Sequence, residues 1–333
     1  MKLTGEKGVI RHFLRDCELK PLSPQTIKSY RHHLLVLVNL LETLCSIVEL
    51  EEITVHHLRE CVEHLLTTPS DNVKGVYRKD GETLDIASVR AHVRVWKVFF
   101  NWCYREELIN KSPADSRLSL PKSPKKVTVT FSDEQIQQML LSCDTSTEIG
   151  FRDYVILLLL LDTGIRLDEI ATLRLDGFQE TYIKVMGKGR REREVGLHPD
   201  VSKLVWKYIH KYRKPKMENE SSLFISIGKK HSGLGFDRDG VASLLRRIKK
   251  VTGLNADSGV RLSAHTFRHT FSKMYMQQGG EILSLSRELG HSNVSITEKY
   301  LGTFGSQEAR KEHASFSPIS RINIKKNQKK KKK

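Results

Sequence analysis

Five cysteines in 333 residues form no CxxC pair, and none has a histidine at zinc-finger spacing. That excludes a zinc finger and a paired disulfide scaffold. The odd set, Cys17, Cys45, Cys61, Cys103 and Cys143, with mostly apolar neighbours, predicts reduced, buried thiols in a cytoplasmic protein. No signal peptide is expected from the N-terminal residues. The longest apolar run, Val155 to Leu161, falls far short of the ~20 residues a membrane span needs and is read as core. No GxxxxGK(S/T) string is present, which excludes a Walker A nucleotide site. His265 and His269 have the spacing of a zinc helix, but Thr266 stands where HExxH has glutamate, so neither metal nor cofactor is expected.

What the chain does have is positive charge. Lys and Arg number 56 against 39 Asp and Glu, a formal net charge of +17. Such an excess favours a polyanionic partner, because bound Lys and Arg release counterions condensed on nucleic acid. Seven of the last nine residues are lysine (Lys325, Lys326 and Lys329 to Lys333), yet removing them leaves about +10, so the body is basic too. The tail reads as a solvated run adding non-specific DNA affinity, or as a nuclear-targeting signal. A hydrophobic fraction of 38% and a charged fraction of 29% fit a globular protein, and the length suggests about two domains.

Residues 1–116 read as a helical, DNA-binding domain. Ser23-Pro24 is a cap with proline at the first helical position, followed by Ile27, Tyr30, Leu34, Leu37, Val38 and Leu41 at helical spacing. A second long helix from near Ala87 carries Val89, Val93, Trp96, Phe100 and Cys103 on one stripe, with Arg90, Arg94 and Lys97 opposite as candidates to face DNA. The polar stretch from Ser70 to Glu82 reads as a loop, and residues 117–130, rich in proline and lysine, as a basic linker. A larger domain, 131–323, opens on a capping box from Ser132 and Gln135, with Phe131 and Ile136 placed as a hydrophobic staple. The lysine-rich tail is 324–333. The two strand-like runs around Gly187-Lys188-Gly189 predict a hairpin, and helices are expected near 199–213, 239–252, 264–278, 281–289 and 295–303. The fold class is mainly α with a small β-hairpin. Two domains on a basic linker can close around a duplex like a clamp.

Candidate chemistry is spread over separated positions. Arg166 follows a glycine turn that ends one helix, where its planar fork can reach two oxygens of one phosphate. Lys188 sits at the hairpin tip. His265 and Arg268, at i and i+3, offer a proton-transfer group and a rigid cation on one helix face. His291 follows a glycine at a left-handed helix end, and Ser295 with Glu298 forms another capping box, so Tyr300 lies on the second turn of a new helix. Singly, each position has a plain structural explanation.

Together, TGIRLDEI, GKGRRER, HTFRH, LGH and a tyrosine nine residues after that histidine resemble the tyrosine recombinase, or phage integrase, family, in its order and at its spacings. The resemblance covers about 131–303, and more loosely the N-terminal region, which looks like the family's SAM-like core-binding domain. It implies a mixed α/β catalytic domain in which Arg166 and Arg268 pair on the scissile phosphate, Lys188 is the hairpin lysine, His265 and His291 are the two histidines, and Tyr300 is the nucleophile. Glu169 matches the acidic residue that supports the site without reacting. The reaction implied is cleavage and rejoining of duplex DNA through a 3′-phosphotyrosyl bond, without ATP or metal. The partners implied are double-stranded DNA and a homo-tetramer on two sites, with DNA-bending accessory factors as compatible additions. A mobile-element origin is favoured over chromosome-dimer resolution by the basic linker and tail.

These residue types suit that chemistry. Negative charge gathers on the non-bridging oxygens during in-line displacement, and protein-borne cations can take the place of metal ions. A tyrosine hydroxyl, ordinarily near pKa 10, needs a base or a cationic site to attack near neutral pH, which His265 and the arginines supply; Lys188 is the candidate acid for the leaving 5′-hydroxyl. Two other readings use the same residues: a type IB topoisomerase, and a non-catalytic DNA-binding regulator on this fold. The segment Phe304 to Asn323, with Phe316, Ile319 and Ile322, weighs against the topoisomerase as an element suited to dock on a neighbouring protomer.

Overall fold

The computed structural model describes residues 1–5, 8–20, 22–69, 82–122, 129–187, 192–227, 232–254 and 259–291. Lys188, expected at the hairpin tip, most of the expected loop at 70–82, the helix expected near 295–303 with Tyr300, the segment Phe304 to Asn323 and the lysine tail lie outside these residues. The chain divides into two units, Met1–Lys125 and Lys126–Lys333. Among the described residues the architecture is mainly α with one small antiparallel hairpin, as the sequence predicts.

The N-terminal unit is built from α1 (Val9–Leu19), α2 (Pro24–Cys45), α3 (Val55–Thr67) and α4 (Ile86–Arg105). Ser23 caps α2 by accepting a bond from the Thr26 N–H, with Pro24 in the first turn where a missing N–H costs nothing. The apolar stripe of α2 turns inward, with Leu34, Leu37, Val38 and Leu41 buried and Ile27 and Tyr30 packed at its margin. On α4 the predicted stripe Val89, Val93, Trp96, Phe100 and Cys103 is wholly buried. Asp85 caps that helix through the Ser88 N–H. Trp96 Nε1 donates to the His33 carbonyl at 3.2 Å and Trp102 Nε1 to Asp16 at 2.9 Å, so both indoles satisfy their one polar atom across helices.

The basic residues opposite the stripe have different surroundings. Arg94 is exposed, but Arg90 donates to the Pro121 carbonyl and Lys97 Nζ to the Asp115 carbonyl at 3.2 Å. Both hold the stretch after α4 against that helix. Ala114 and Leu118 are buried in the same core. Two apolar residues among prolines and serines are too sparse to register as periodicity. All five cysteines are free, four buried and Cys45 half-buried. Among the described residues no helix is long and apolar enough to cross a membrane.

The C-terminal unit contains α5 (Asp133–Leu141), α6 (Glu148–Thr163), α7 (Leu167–Ala171), strands β1 (Tyr182–Met186) and β2 (Glu192–Gly196), α8 (Pro199–Lys207) continuing into a wider π turn at Tyr208–Tyr212, α9 (Arg238–Thr252), α10 (Ala264–Gln277) and α11 (Ile282–Leu289). The Ser132/Gln135 capping box forms as predicted, at 3.3 and 3.0 Å. Helix α6 is apolar nearly all round because it is central: Val155, Ile156, Leu157, Leu159 and Leu160 have no exposure, and α10 and α8 pack on it. Phe131 meets Phe267 edge to face, and its N–H donates to Thr270 Oγ1 at 3.0 Å, fixing the start of α5 on α10. In the hairpin Ile183, Val185 and Val195 face the core, and Val185 pairs with Arg193.

Replacing Trp96 with alanine removes a fully buried indole and the bond to His33. A loss of about 3–5 kcal/mol is expected on urea unfolding. A loss below about 1 kcal/mol would show that the α2–α4 packing does not depend on it.

Candidate active site

Helix α6 ends at Gly164, whose φ of +58° is left-handed. A Cβ there would also come within 2.5 Å of the Phe271 ring, so glycine is required twice over. Two residues on, Arg166 is extended and caps α7. Its N–H donates to Glu169 Oε2 at 2.8 Å and its Nη1 to Glu169 Oε1 at 2.9 Å. The guanidinium nevertheless remains 43% exposed.

Glu169 is the anchor of this arrangement, at 4% exposure. Besides Arg166 it receives the fork of Arg193 from β2, Nη1 at 2.8 Å and Nη2 at 2.9 Å, a bidentate pair. Burial by itself pushes the carboxyl up. The Arg193 hydrogen bonds, the Arg166 N–H and both positive charges outweigh it and hold the group at about 2. Arg193 Nε donates to the Glu288 carbonyl at 2.9 Å, and the Arg193 side chain passes beneath Gly290. Gly290 has φ +65°, and a Cβ there would meet Arg193 at 2.9 Å.

Arg268 lies on α10 and is 1% exposed. Its Nη1 donates to the Gly164 carbonyl at 2.9 Å; its Nη2 donates to the Leu289 carbonyl at 2.5 Å and to His291 Nε2 at 2.8 Å. The sequence reading placed Arg268 beside His265 on one helix face; the structure sinks its guanidinium between the ends of α6 and α11. A guanidinium can only donate, so His291 Nε2 accepts and the ring carries its proton on Nδ1. Burial, then Arg268, Arg166 and Arg193, press His291 down to about 4. His265, one turn before Arg268, is lowered by burial, then by Arg268 and Arg166. His269 packs edge to face on it with ring centroids 4.5 Å apart.

The described residues thus bring Arg166, His265, Arg268 and His291 into one neighbourhood. Lys188 and Tyr300 lie outside them. Arg193 belongs to the cluster and was missed, because on sequence it is one of four basic residues in Lys188-Gly-Arg-Arg-Glu-Arg193. Its one signal is alternation: Glu192 and Glu194 are exposed and Arg193 points in. Two guanidiniums, Arg166 and Arg193, meet one firmly ionised carboxylate, a third, Arg268, is held by helix-end carbonyls and His291, and both histidines are held neutral. That combination attracts an anion and offers proton acceptors beside it.

Residues 130–304 match the phage integrase family, and residues 10–107 its N-terminal SAM-like domain. The chain belongs to the phage integrase family. Among curated relatives of this family member is tyrosine recombinase XerD of Listeria innocua, 26% identical over 290 residues, covering 84% of this chain and 89% of the relative. XerD of Staphylococcus epidermidis is 26% identical over 315 residues, covering 93% and 98%. The fold is similar to that of the Tn1549 transposon integrase in complex with a circular intermediate DNA, with a TM-score of 0.67, 16% identity and coverage of 93% of this chain and 98% of that one. It is also similar to XerH recombinase bound to a palindromic difH substrate, with a TM-score of 0.64, 20% identity and coverage of 87% and 79%.

Two stability outcomes follow for this integrase-family fold. Arg193→Met leaves Glu169 buried without its bidentate partner and is expected to cost about 3–5 kcal/mol; a neutral result would mean the pair is dispensable. Glu169 is ordinarily near 4.5 and is held at about 2, so its contribution, about 3 kcal/mol, is present above pH ~4.5 and lost as pH falls toward 2. Glu169→Gln should therefore lower Tm clearly at pH 7, with the gap to wild type narrowing below pH 4.5. A gap independent of pH would show that the carboxylate charge is not what stabilises.

Proposed function

We propose that this chain is a site-specific tyrosine recombinase that cuts and rejoins duplex DNA, with Tyr300 as nucleophile. The observation that carries the reading is the buried Arg268 guanidinium, set between Gly164 and His291 with Arg166 and His265 nearby. Such a cluster binds a phosphodiester and spreads the charge that builds on its oxygens. The Tyr300 oxygen attacks phosphorus as the 5′-oxygen of the next nucleotide leaves, giving a 3′-phosphotyrosyl bond and a free 5′-hydroxyl. His265, held neutral, takes the phenol proton; Lys188 gives a proton to the leaving oxygen; His291, with Nδ1 protonated, donates toward the phosphate. Reversal with a partner strand's 5′-hydroxyl rejoins DNA and restores the tyrosine, so no ATP is consumed.

The fold neighbours support the finer parts of the proposal. One is a transposon integrase on circular intermediate DNA, and another is a lambda integrase tetramer bound to a Holliday junction. We therefore assign this chain to integration or excision of a mobile element, by sequential strand exchange in a tetramer on two duplex sites. The 117–130 stretch acts as the basic connection between a core-binding domain and a catalytic domain. Neither the topoisomerase nor the regulator reading is favoured by these relatives.

The test is a randomised pool of nicked duplexes incubated with purified protein in EDTA and resolved on a denaturing gel. A covalent protein–DNA adduct is expected, absent in Tyr300→Phe although that variant still binds DNA. Arg166→Ala should slow adduct formation by about 10²–10³-fold, the size of losing one preorganised charge-stabilising donor. A strict requirement for Mg²⁺, or an adduct that persists in Tyr300→Phe, would overturn the assignment.

A further inference from the structure

Three imidazoles meet in the N-terminal unit. His32 and His33 are consecutive on α2, and His92 lies on α4. One nitrogen of each lies within 4.8 Å of the other two. Ring centroids are 4.3 Å apart for His33 and His92, 5.2 Å for His32 and His33, and 6.0 Å for His32 and His92. No other group of three or more His, Cys, Asp or Glu side chains among the described residues comes so close together.

Packing enforces this placement. His92 is 3% exposed and shares the inward face of α4 with Val89, Val93 and Trp96. The Trp96 bond to the His33 carbonyl at 3.2 Å pins the turn of α2 that carries the other two rings. His33 Nδ1 and His92 Nδ1 are 3.0 Å apart. A contact that short needs a lone pair on one of the two nitrogens, so at least one of these two rings is neutral. A buried imidazole on an apolar stripe costs stability unless its nitrogens are used.

We propose that His32, His33 and His92 form a site for one divalent transition-metal ion that clamps α2 to α4. Neutral imidazole suits zinc, cobalt, nickel and copper, whereas magnesium and calcium take oxygen ligands. At a metal–nitrogen distance of ~2.1 Å, tetrahedral ligands sit about 3.4 Å apart. The present spacing of up to 4.8 Å has to shorten toward that value when the ion binds. The ring now donating in the His33–His92 contact moves its proton to Nε2, so both Nδ1 lone pairs face the ion. Water completes the fourth position. The role is structural: the ion links the two longest helices of this unit, and the recombination reading neither needs it nor depends on it.

The test uses the full-length protein, stripped with EDTA and titrated with CoCl₂ while visible absorption is followed. One equivalent of cobalt is expected to develop the d–d bands of a nitrogen-rich tetrahedral site, and ZnCl₂ to raise Tm. His32→Ala should match wild-type Tm in EDTA, yet lose metal affinity by at least the roughly 10–100-fold that follows from removing a ligand's supporting hydrogen bond. His32→Gln provides a second variant with a polar side chain kept at that position. His265→Ala, in the other unit, should leave the titration unchanged. The proposal is overturned if cobalt at one equivalent gives no bands. It is also overturned if both His32 variants bind as tightly as wild type, which would leave a hydrogen-bonded pair and assign any metal to thiols or to His265 and His269.

Discussion

Everything at the candidate active site depends on burying one guanidinium. Arg268 is almost fully removed from water, and its Nη atoms donate to the carbonyls of Gly164 and Leu289 and to His291. A charge taken out of water is tolerable only when hydrogen bonds replace its hydration. Here the replacements are helix-end carbonyls, which carry partial negative charge because no later N–H in their own helix reaches them. The same bonds tie α10 to the ends of α6 and α11. Chemistry and fold therefore share their fasteners, and moving any of these helices would strand the charge.

Glu169 plays the complementary part. Without it Arg166 and Arg193 would repel each other and Arg268; with it, they are pinned at fixed angles and still leave positive charge over. The carboxylate is too low in pKa to take part in proton transfer near neutral pH. The histidines are pushed down as well, by burial and then by the neighbouring arginines, and for an imidazole that leaves the ring neutral and able to accept a proton. One environment thus separates a group that holds the site together from groups that can exchange protons.

The N-terminal unit uses a different device. Its core is apolar and aromatic, around Trp96, Phe99, Phe100 and Phe13, and two of its polar contacts, His33 with His92 and Trp96 with the His33 carbonyl, join α2 to α4. Arg90 and Lys97 donate to the carbonyls of Pro121 and Asp115, which lie 31 and 18 residues further along. Basic residues that look like DNA contacts on a helical wheel can thus be committed to holding the chain's own backbone.

What sequence alone determined is whatever short-range physics writes into a few neighbouring residues. The Ser23 and Ser132 caps, the left-handed glycines 164 and 290, the stripe on α4 and the apolar run of α6 were all legible, since caps span three residues and stripes repeat every turn. The candidate site residues stand out in the sequence only as types in an order, through family resemblance. What only the tertiary structure decided were contacts between residues far apart in the chain: Arg193 with Glu169 across 24 positions, Arg268 with Gly164 across 104, and His33 with His92 across 59. No local pattern encodes those pairs, because they exist only once burial of the apolar faces has brought separate helices and the hairpin into register.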